Sequence, residues 1–313
     1  MLNPRVLNMR SKQQEIVDNF HFRVALAGLV LGLVCYFVFK LTNVVDYGAH
    51  DRIIALAVVA VVVGPALILL REKSYFYLAS AILTVFWGFF YKDLLFYLAA
   101  LAGRLGMGIS LRDSTFVKLD QLLHLDIPAL VHWSAHAWIG KLVNDCYPLL
   151  FPLMWLAVLL PIFKRRLKDA QHFIAANITA FILGLPLFAL FPAVGPWYGY
   201  GLKMDSGEAE AQANLFRLRL PGTYVYHPPG GIICFPSFHV IWAILCAYAL
   251  WSFKPLRIPV SLLAILIICS TLTSSEHYAS DVIAGIPVAF AAIYLAKVVF
   301  FAERGVSRIA QAD

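Results

Sequence analysis

Two short polar stretches, Pro236-Ser237-Phe238-His239 and His277-Tyr278-Ala279-Ser280-Asp281, each stand where a long apolar run meets a loop. An ionisable side chain at such a boundary costs a few kcal/mol unless it has a partner or a task, so these residues are functional candidates. His277 and Asp281 are four apart, a spacing that puts both side chains on one face of a helical or turn-like path. A carboxylate bound to one imidazole nitrogen fixes the tautomer and frees the other nitrogen for attack or proton transfer. Proline and serine favour the first turn of a helix, so Pro236-Ser237 marks a helix amino terminus. Free amides and the helix dipole make an anion site there, with the Ser237 hydroxyl as a further donor and His239 within the first turn. Two histidines and an aspartate in these settings suit phosphoryl or acyl transfer. The plainer alternative for the first stretch is a capped helix with a histidine at headgroup level.

The elements that must position these residues are membrane spans. The chain has 313 residues, 61% hydrophobic and 14% charged, where a soluble domain is roughly half apolar and a quarter charged. Runs of about 18 residues cross a hydrocarbon core of about 30 Å. Ile53 to Leu70, Ser74 to Tyr91, Cys146 to Phe163, Phe173 to Phe191 and Ile258 to Ser275 qualify. Phe22 to Val45 qualifies if Arg23 and Lys40 snorkel. Phe235 to Phe253, which includes His239, and Val282 to Ala302, which includes Lys297, complete eight. The expected fold class is all-α, a polytopic helical bundle in a membrane, with no internal repeat.

The net charge of +7 does not point to nucleic acid, because the basic residues sit in alternate loops. Lys164, Arg165, Arg166 and Lys168 follow one span, and Lys254 and Arg257 follow another. The positive-inside rule makes those loops cytoplasmic. Arg5, Arg10 and Lys12 place the amino terminus on the same side, as Arg304 and Arg308 do the carboxyl terminus. Segments 92–145 and 192–234 balance acids against bases, so both polar stretches face away from the cytoplasm. The expected location is a bacterial inner membrane or its equivalent. The first 21 residues are polar and the first apolar run is long enough to stay as an anchor, so no cleaved signal is expected. Cys35, Cys246 and Cys269 fall within spans, leaving Cys146 and Cys234 near the outer face as isolated thiols or a disulfide.

Two segments between spans stand out. In 92–145, Trp133 and Trp138 fit an interfacial belt. His132 and His136 have the i, i+4 spacing of a metal pair but lack a carboxylate or thiol at helical spacing, which favours ordinary interfacial histidines and no metal. Segment 192–236 carries Pro192-Ala193-Val194-Gly195-Pro196-Trp197-Tyr198 and His227-Pro228-Pro229-Gly230-Gly231. That composition predicts a turn-rich lid rather than a helix.

Pro-Ser-x-His, then Ser270, His277 and Asp281, resembles the second and third signatures of the type 2 phosphatidic-acid phosphatase superfamily. The resemblance implies that His277 is the nucleophile forming a phosphohistidine, Asp281 its support and His239 the general acid for the leaving oxygen. No cofactor is implied. The usual glycine before the middle histidine is Phe238, the arginine after Ser270 is Thr271, and an Arg-Pro dipeptide is absent. Phe191 to Tyr198, with Leu119-Asp120-Gln121-Leu122 ahead of Tyr147, is similar to the inositol-phosphorylceramide synthase branch, whose members move a phosphorylated headgroup between lipids. The resemblance covers residues 75 to 302. It divides the chain into 1–73 with two accessory spans, a six-helix core at 74–302 and a tail at 303–313.

A phosphoryl group needs donors or cations around its oxygens. Lys203, Arg217 and Arg219 in the lid, and Lys92 after the third span, are the candidates, with Ser237, Ser270, Trp197, Tyr198 and Tyr278 as further lining. The expected activity is phosphoryl transfer from a lipid donor to a lipid acceptor, with hydrolysis by the same chemistry as the alternative. Phe238 and the aromatic lid favour a dry site. A proton-coupled transporter is the reading from a different class, but it calls for polar residues through the middle of several spans.

Overall fold

The computed structural model describes residues 20–34, 44–45, 66, 69, 74–221, 224–225 and 231–301. Their regular structure is helical apart from a two-residue parallel pairing of Val44–Val45 (β1) with Tyr224–Val225 (β2). In chain order the helices are α1 Phe20–Val34, α2 Phe76–Leu105, α3 Asp113–Leu122, α4 Ile127–His136, α5 Trp138–Asp145 and α6 Leu150–Phe163. They continue as α7 Leu167–Leu190, α8 Pro196–Tyr200, α9 Ser206–Arg219, α10 Phe238–Leu250, α11 Arg257–Thr273 and α12 Ala279–Phe301.

Five of these runs are long and apolar enough to cross a membrane: Phe76–Gly108, Trp138–Phe163, Leu167–Leu190, Lys254–Thr273 and Ala279–Phe301. The protein is a multi-pass membrane protein. Its outward faces fit that solvent: Ile258, Leu262, Ile265 and Leu266 on α11, and Ile283, Ile286, Phe290 and Tyr294 on α12, form exposed apolar stripes at helical spacing. α7 lies at the centre, packing against α2, α6, α10 and α12. Its buried Ala175, Ala176 and Ala180 let those neighbours approach. α1 seats Phe20 and Val24, both fully buried, against this bundle, with Phe20 stacked on Phe301 and Trp87 Nε1 donating to His21 Nδ1.

Six apolar runs occupy the places expected between 74 and 302. The accessory span at 53–70 lies outside the described residues apart from positions 66 and 69, as do both chain ends. Three expectations change. Segment 92–145 is not a loop at its start, because α2 runs on through Lys92 to Leu105 over leucines, alanines and aromatics, all compatible with a helix. Nor is segment 192–236 only turns. Asp205 and Glu208 form a reciprocal capping box at the head of the 14-residue α9, whose Ala, Glu, Gln and Leu are strong helix formers. The span drawn as Phe235 to Phe253 is the 13-residue α10, about 20 Å long at 1.5 Å per residue. Ile232, Cys234 and Ser237 in the segment that leads into it are buried.

Candidate active site

The turn between α11 and α12 fixes His277. The amides of Glu276 and His277 both donate to the Thr271 carbonyl, at 3.1 and 3.0 Å, closing the end of α11. Ser275 turns the chain at φ 61°, and its hydroxyl donates to Glu208 Oε1 of the lid helix at 3.0 Å. His277 is buried, and its Nδ1 lies 2.9 Å from the Cys234 carbonyl oxygen and 3.5 Å from Asp281 Oδ2. With Nδ1–H donating to an oxygen, Nε2 carries the free lone pair. Asp281 is therefore not the sole orienting group, since the backbone carbonyl of Cys234 holds the nearer position. Oδ2 of Asp281, fully buried, accepts from the Tyr278 amide at 2.8 Å and the Cys234 thiol at 3.0 Å. Its backbone carbonyl accepts from Ser237 N at 3.1 Å, which ties the two polar stretches together.

His239 stands in the first turn of α10, where the Ser237 hydroxyl oxygen accepts from Val240 N at 3.3 Å. Its ring centroid is 5.7 Å from that of His277. Nδ1 of His239 lies 3.3 Å from the Tyr147 hydroxyl, the two rings stacked at 4.2 Å. Nε2 is buried without a hydrogen-bond partner among the described residues.

Two carboxylates of α3 build the frame around this pair. Asp113 accepts from Val194 N and Gly195 N, at 3.0 and 3.1 Å, and from the Tyr278 hydroxyl at 2.9 Å. Asp120 accepts from Ala279 N and from the Tyr200 hydroxyl, both at 3.0 Å. Burial pushes the Asp120 carboxyl up to about 6, against the pull of the hydrogen bonds from Tyr200 and Ala279. Burial likewise raises Asp113 and, reinforced by the Asp113 charge, the Tyr278 hydroxyl. Gly199 permits this packing: a Cβ there would lie 2.1 Å from the Tyr278 hydroxyl. The two upstream stretches, 119–122 and 191–198, thus brace the turn that carries His277. Asp120 and Asp281 fill the start of α12, whereas at the start of α10 Ser237 caps Val240 N and the Phe238 and His239 amides have no intrahelical acceptor.

The structure brings together His239, His277, Asp281 and Ser237. Ser270 is buried and donates back to Ile267 O at 2.7 Å within its own helix. Tyr278 braces Asp113 and Gly195 rather than lining a phosphate pocket. Trp197 is buried in the core while Tyr198 is exposed beside Phe216. Lys203 and Arg217 are exposed on the lid. Arg219 donates to the carbonyls of Gly106 and Ile109, strapping the lid helix to the end of α2. Lys92 lines a cavity between α2, α6 and α7. Groups that sequence reasoning passed over are Glu276, Tyr147 as a hydrogen-bonding partner, and the Cys234 carbonyl.

Cys146 and Cys234 are both free thiols. His132 and His136 stack at 4.3 Å on the exposed face of α4. Among the described residues the one cluster of metal-type side chains is Cys234, His277 and Asp281. Burial, reinforced by the Asp281 charge, pushes the Cys234 thiol well above its ordinary range, whereas a metal requires the thiolate. The thiol donates to Asp281, so the three side chains form a hydrogen-bonded triad.

A multi-pass helical bundle with two histidines and a buried aspartate gathered at one end defines a class of membrane proteins with an embedded polar site. Within that class the chain belongs to the PAP2 superfamily, whose family model matches residues 114–295, a stretch that includes both histidines and the aspartate. Members of that superfamily are generally phosphatases or phosphotransferases. No curated protein and no solved structure matches the chain.

Proposed function

We propose that the protein is an integral membrane phosphotransferase. It moves a phosphate or a phosphoinositol-like headgroup from a lipid donor to a lipid alcohol through a phosphohistidine on the non-cytoplasmic face. The observation that carries this reading is the histidine pair, 5.7 Å between ring centroids, with His277 held at Nδ1 and His239 presenting an unpartnered Nε2. His277 Nε2 attacks phosphorus, the bond to the donor oxygen breaks, and His239 gives that oxygen a proton. The amides at the start of α10 face the phosphoryl oxygens. In the second half the acceptor hydroxyl loses its proton to His239 and its oxygen takes the phosphoryl group from His277.

A lipid substrate is supported by a cavity of about 290 Å³ lined by Phe89, Phe151, Trp155, Phe181 and Trp242, with Lys92 and Asn177 as polar points. Trp242 donates to Asn177 at 3.0 Å and its ring lies 6.1 Å from that of His239. An acyl chain in this groove brings its headgroup towards the pair.

The test supplies purified protein with labelled phospholipid, with and without ceramide, diacylglycerol or polyprenol. Labelled lipid product that requires an acceptor is expected, together with an acid-labile phosphoenzyme that is absent from His277→Ala. Free phosphate in the absence of acceptor would make the protein a lipid phosphate phosphatase by the same chemistry. Undiminished turnover in the alanine variant would remove the phosphohistidine.

A further inference from the structure

Behind His239 the polar contacts continue away from the substrate. Glu276, half-buried in the turn before His277, stands beside the Tyr147 hydroxyl, close enough for the two to interact. That hydroxyl lies 3.3 Å from His239 Nδ1, at the long end for such a bond, as catalytic contacts often are before substrate tightens them. A phenol with one proton donates in one direction at a time. When Glu276 is ionised, Tyr147 donates to it and accepts from His239 Nδ1–H, which leaves Nε2 bare. When Glu276 is protonated, it donates to Tyr147, Tyr147 donates to His239 Nδ1, and Nε2 carries the hydrogen.

We infer that Glu276, Tyr147 and His239 form a proton relay that turns His239 from general acid into general base between the two half-reactions. This rests on the phosphohistidine reading. In the first half, Nε2–H passes to the leaving oxygen, Nδ1 takes the Tyr147 proton, and Tyr147 takes the Glu276 proton. The result is ionised Glu276 and a bare Nε2. In the second half the acceptor hydroxyl proton enters at Nε2 and the shifts reverse, restoring the carboxylic acid. No net charge forms on an imidazole packed between Tyr147, Phe151 and Trp242, where an unpaired charge is costly.

Glu276 is suited to this exchange. Burial raises its carboxyl to about 7, opposed by His277 and the Tyr147 hydroxyl and reinforced by Glu208 and Asp205. With the Cys234 thiol, those are the charged and titratable groups that face it. A carboxyl near neutrality gives and takes a proton with small driving force either way.

The test is nitrogen NMR of protein labelled with ¹⁵N-histidine, with His239 assigned from His239→Gln. In wild type the Nε2–H tautomer should give way to Nδ1–H as pH rises from about 5 to about 9, with no turnover required. Glu276→Gln and Tyr147→Phe should each abolish the switch. One unchanging wild-type tautomer across that range overturns the relay. Kinetics supply the second readout. Glu276→Gln should slow phosphoenzyme formation from an alkyl lipid donor on the order of 100-fold, while sparing a nitrophenyl ester whose leaving group needs no acid. Equal losses on both donors would mark Glu276 as structural. His277→Ala judges the phosphohistidine separately from either result.

Discussion

At the scale of single residues, the frame around His277 is held by hydrogen bonds whose removal differs by donor and acceptor. Asp113 satisfies two lid amides and the Tyr278 hydroxyl. Asp113→Ala leaves both amides unpaired in a buried setting, at about 1–3 kcal/mol for each group so stranded, while the Tyr278 hydroxyl keeps the Gly195 carbonyl as a partner at 2.8 Å. Tyr278→Phe removes only the hydroxyl, while Asp113 keeps its two amides, and should cost about 1 kcal/mol. Thermal unfolding in detergent should rank Asp113→Ala well below Tyr278→Phe. Equal or inverted losses would mean that Asp113 does not brace the lid. The histidines and Asp281 were legible in the sequence because ionisable groups are conspicuous in so apolar a chain. Tyr278 drew notice as a candidate lining residue, but its bracing role was not legible, since its partner Asp113 lies 165 positions away. The Cys234 carbonyl had no signal at all, being backbone.

At the scale of elements, periodicity located the apolar runs but not how closely their neighbours approach. α4 and α5 cross at Gly140, where a Cβ would lie 2.3 Å from Ser134 Cα. From that crossing, Ser134 donates to Thr273 O at 2.8 Å, and Thr273 in turn donates to Asn144 at 2.6 Å, which anchors the end of α11 just before the turn that carries His277. Gly140→Ala forces backbone against backbone and should cost about 1–3 kcal/mol. Gly108, which has nothing within 4 Å of its Cβ position, is the control, and its alanine variant should stay within about 0.5 kcal/mol of wild type. Matched melting temperatures for the two variants would contradict the close crossing. The lid helix was hidden for a related reason: Gly and Pro clusters flank it, and they outweighed the Asp205–Glu208 capping box that starts it.

At the scale of the whole molecule, the bundle has two chemically distinct ends. Arg166 bonds Asp169 at 2.8 Å and the Ser252 carbonyl at 3.2 Å, so the basic connections before α7 and after α10 meet at one end. Lys254 and Arg257 belong to the same end. The first turns of α10 and α12, with both site histidines, begin at the other. The positive-inside rule predicts that the basic end faces the cytoplasm and that the site faces away from it. Lys203 on the lid and Lys164 after α6 are both exposed, so each can carry a reporter without disturbing the core. In intact cells, a membrane-impermeant maleimide should label Lys203→Cys above the wild-type background and leave Lys164→Cys unlabelled until the membrane is broken. The reverse pattern would put the site on the cytoplasmic side, and with it the donor and acceptor lipids of the opposite leaflet.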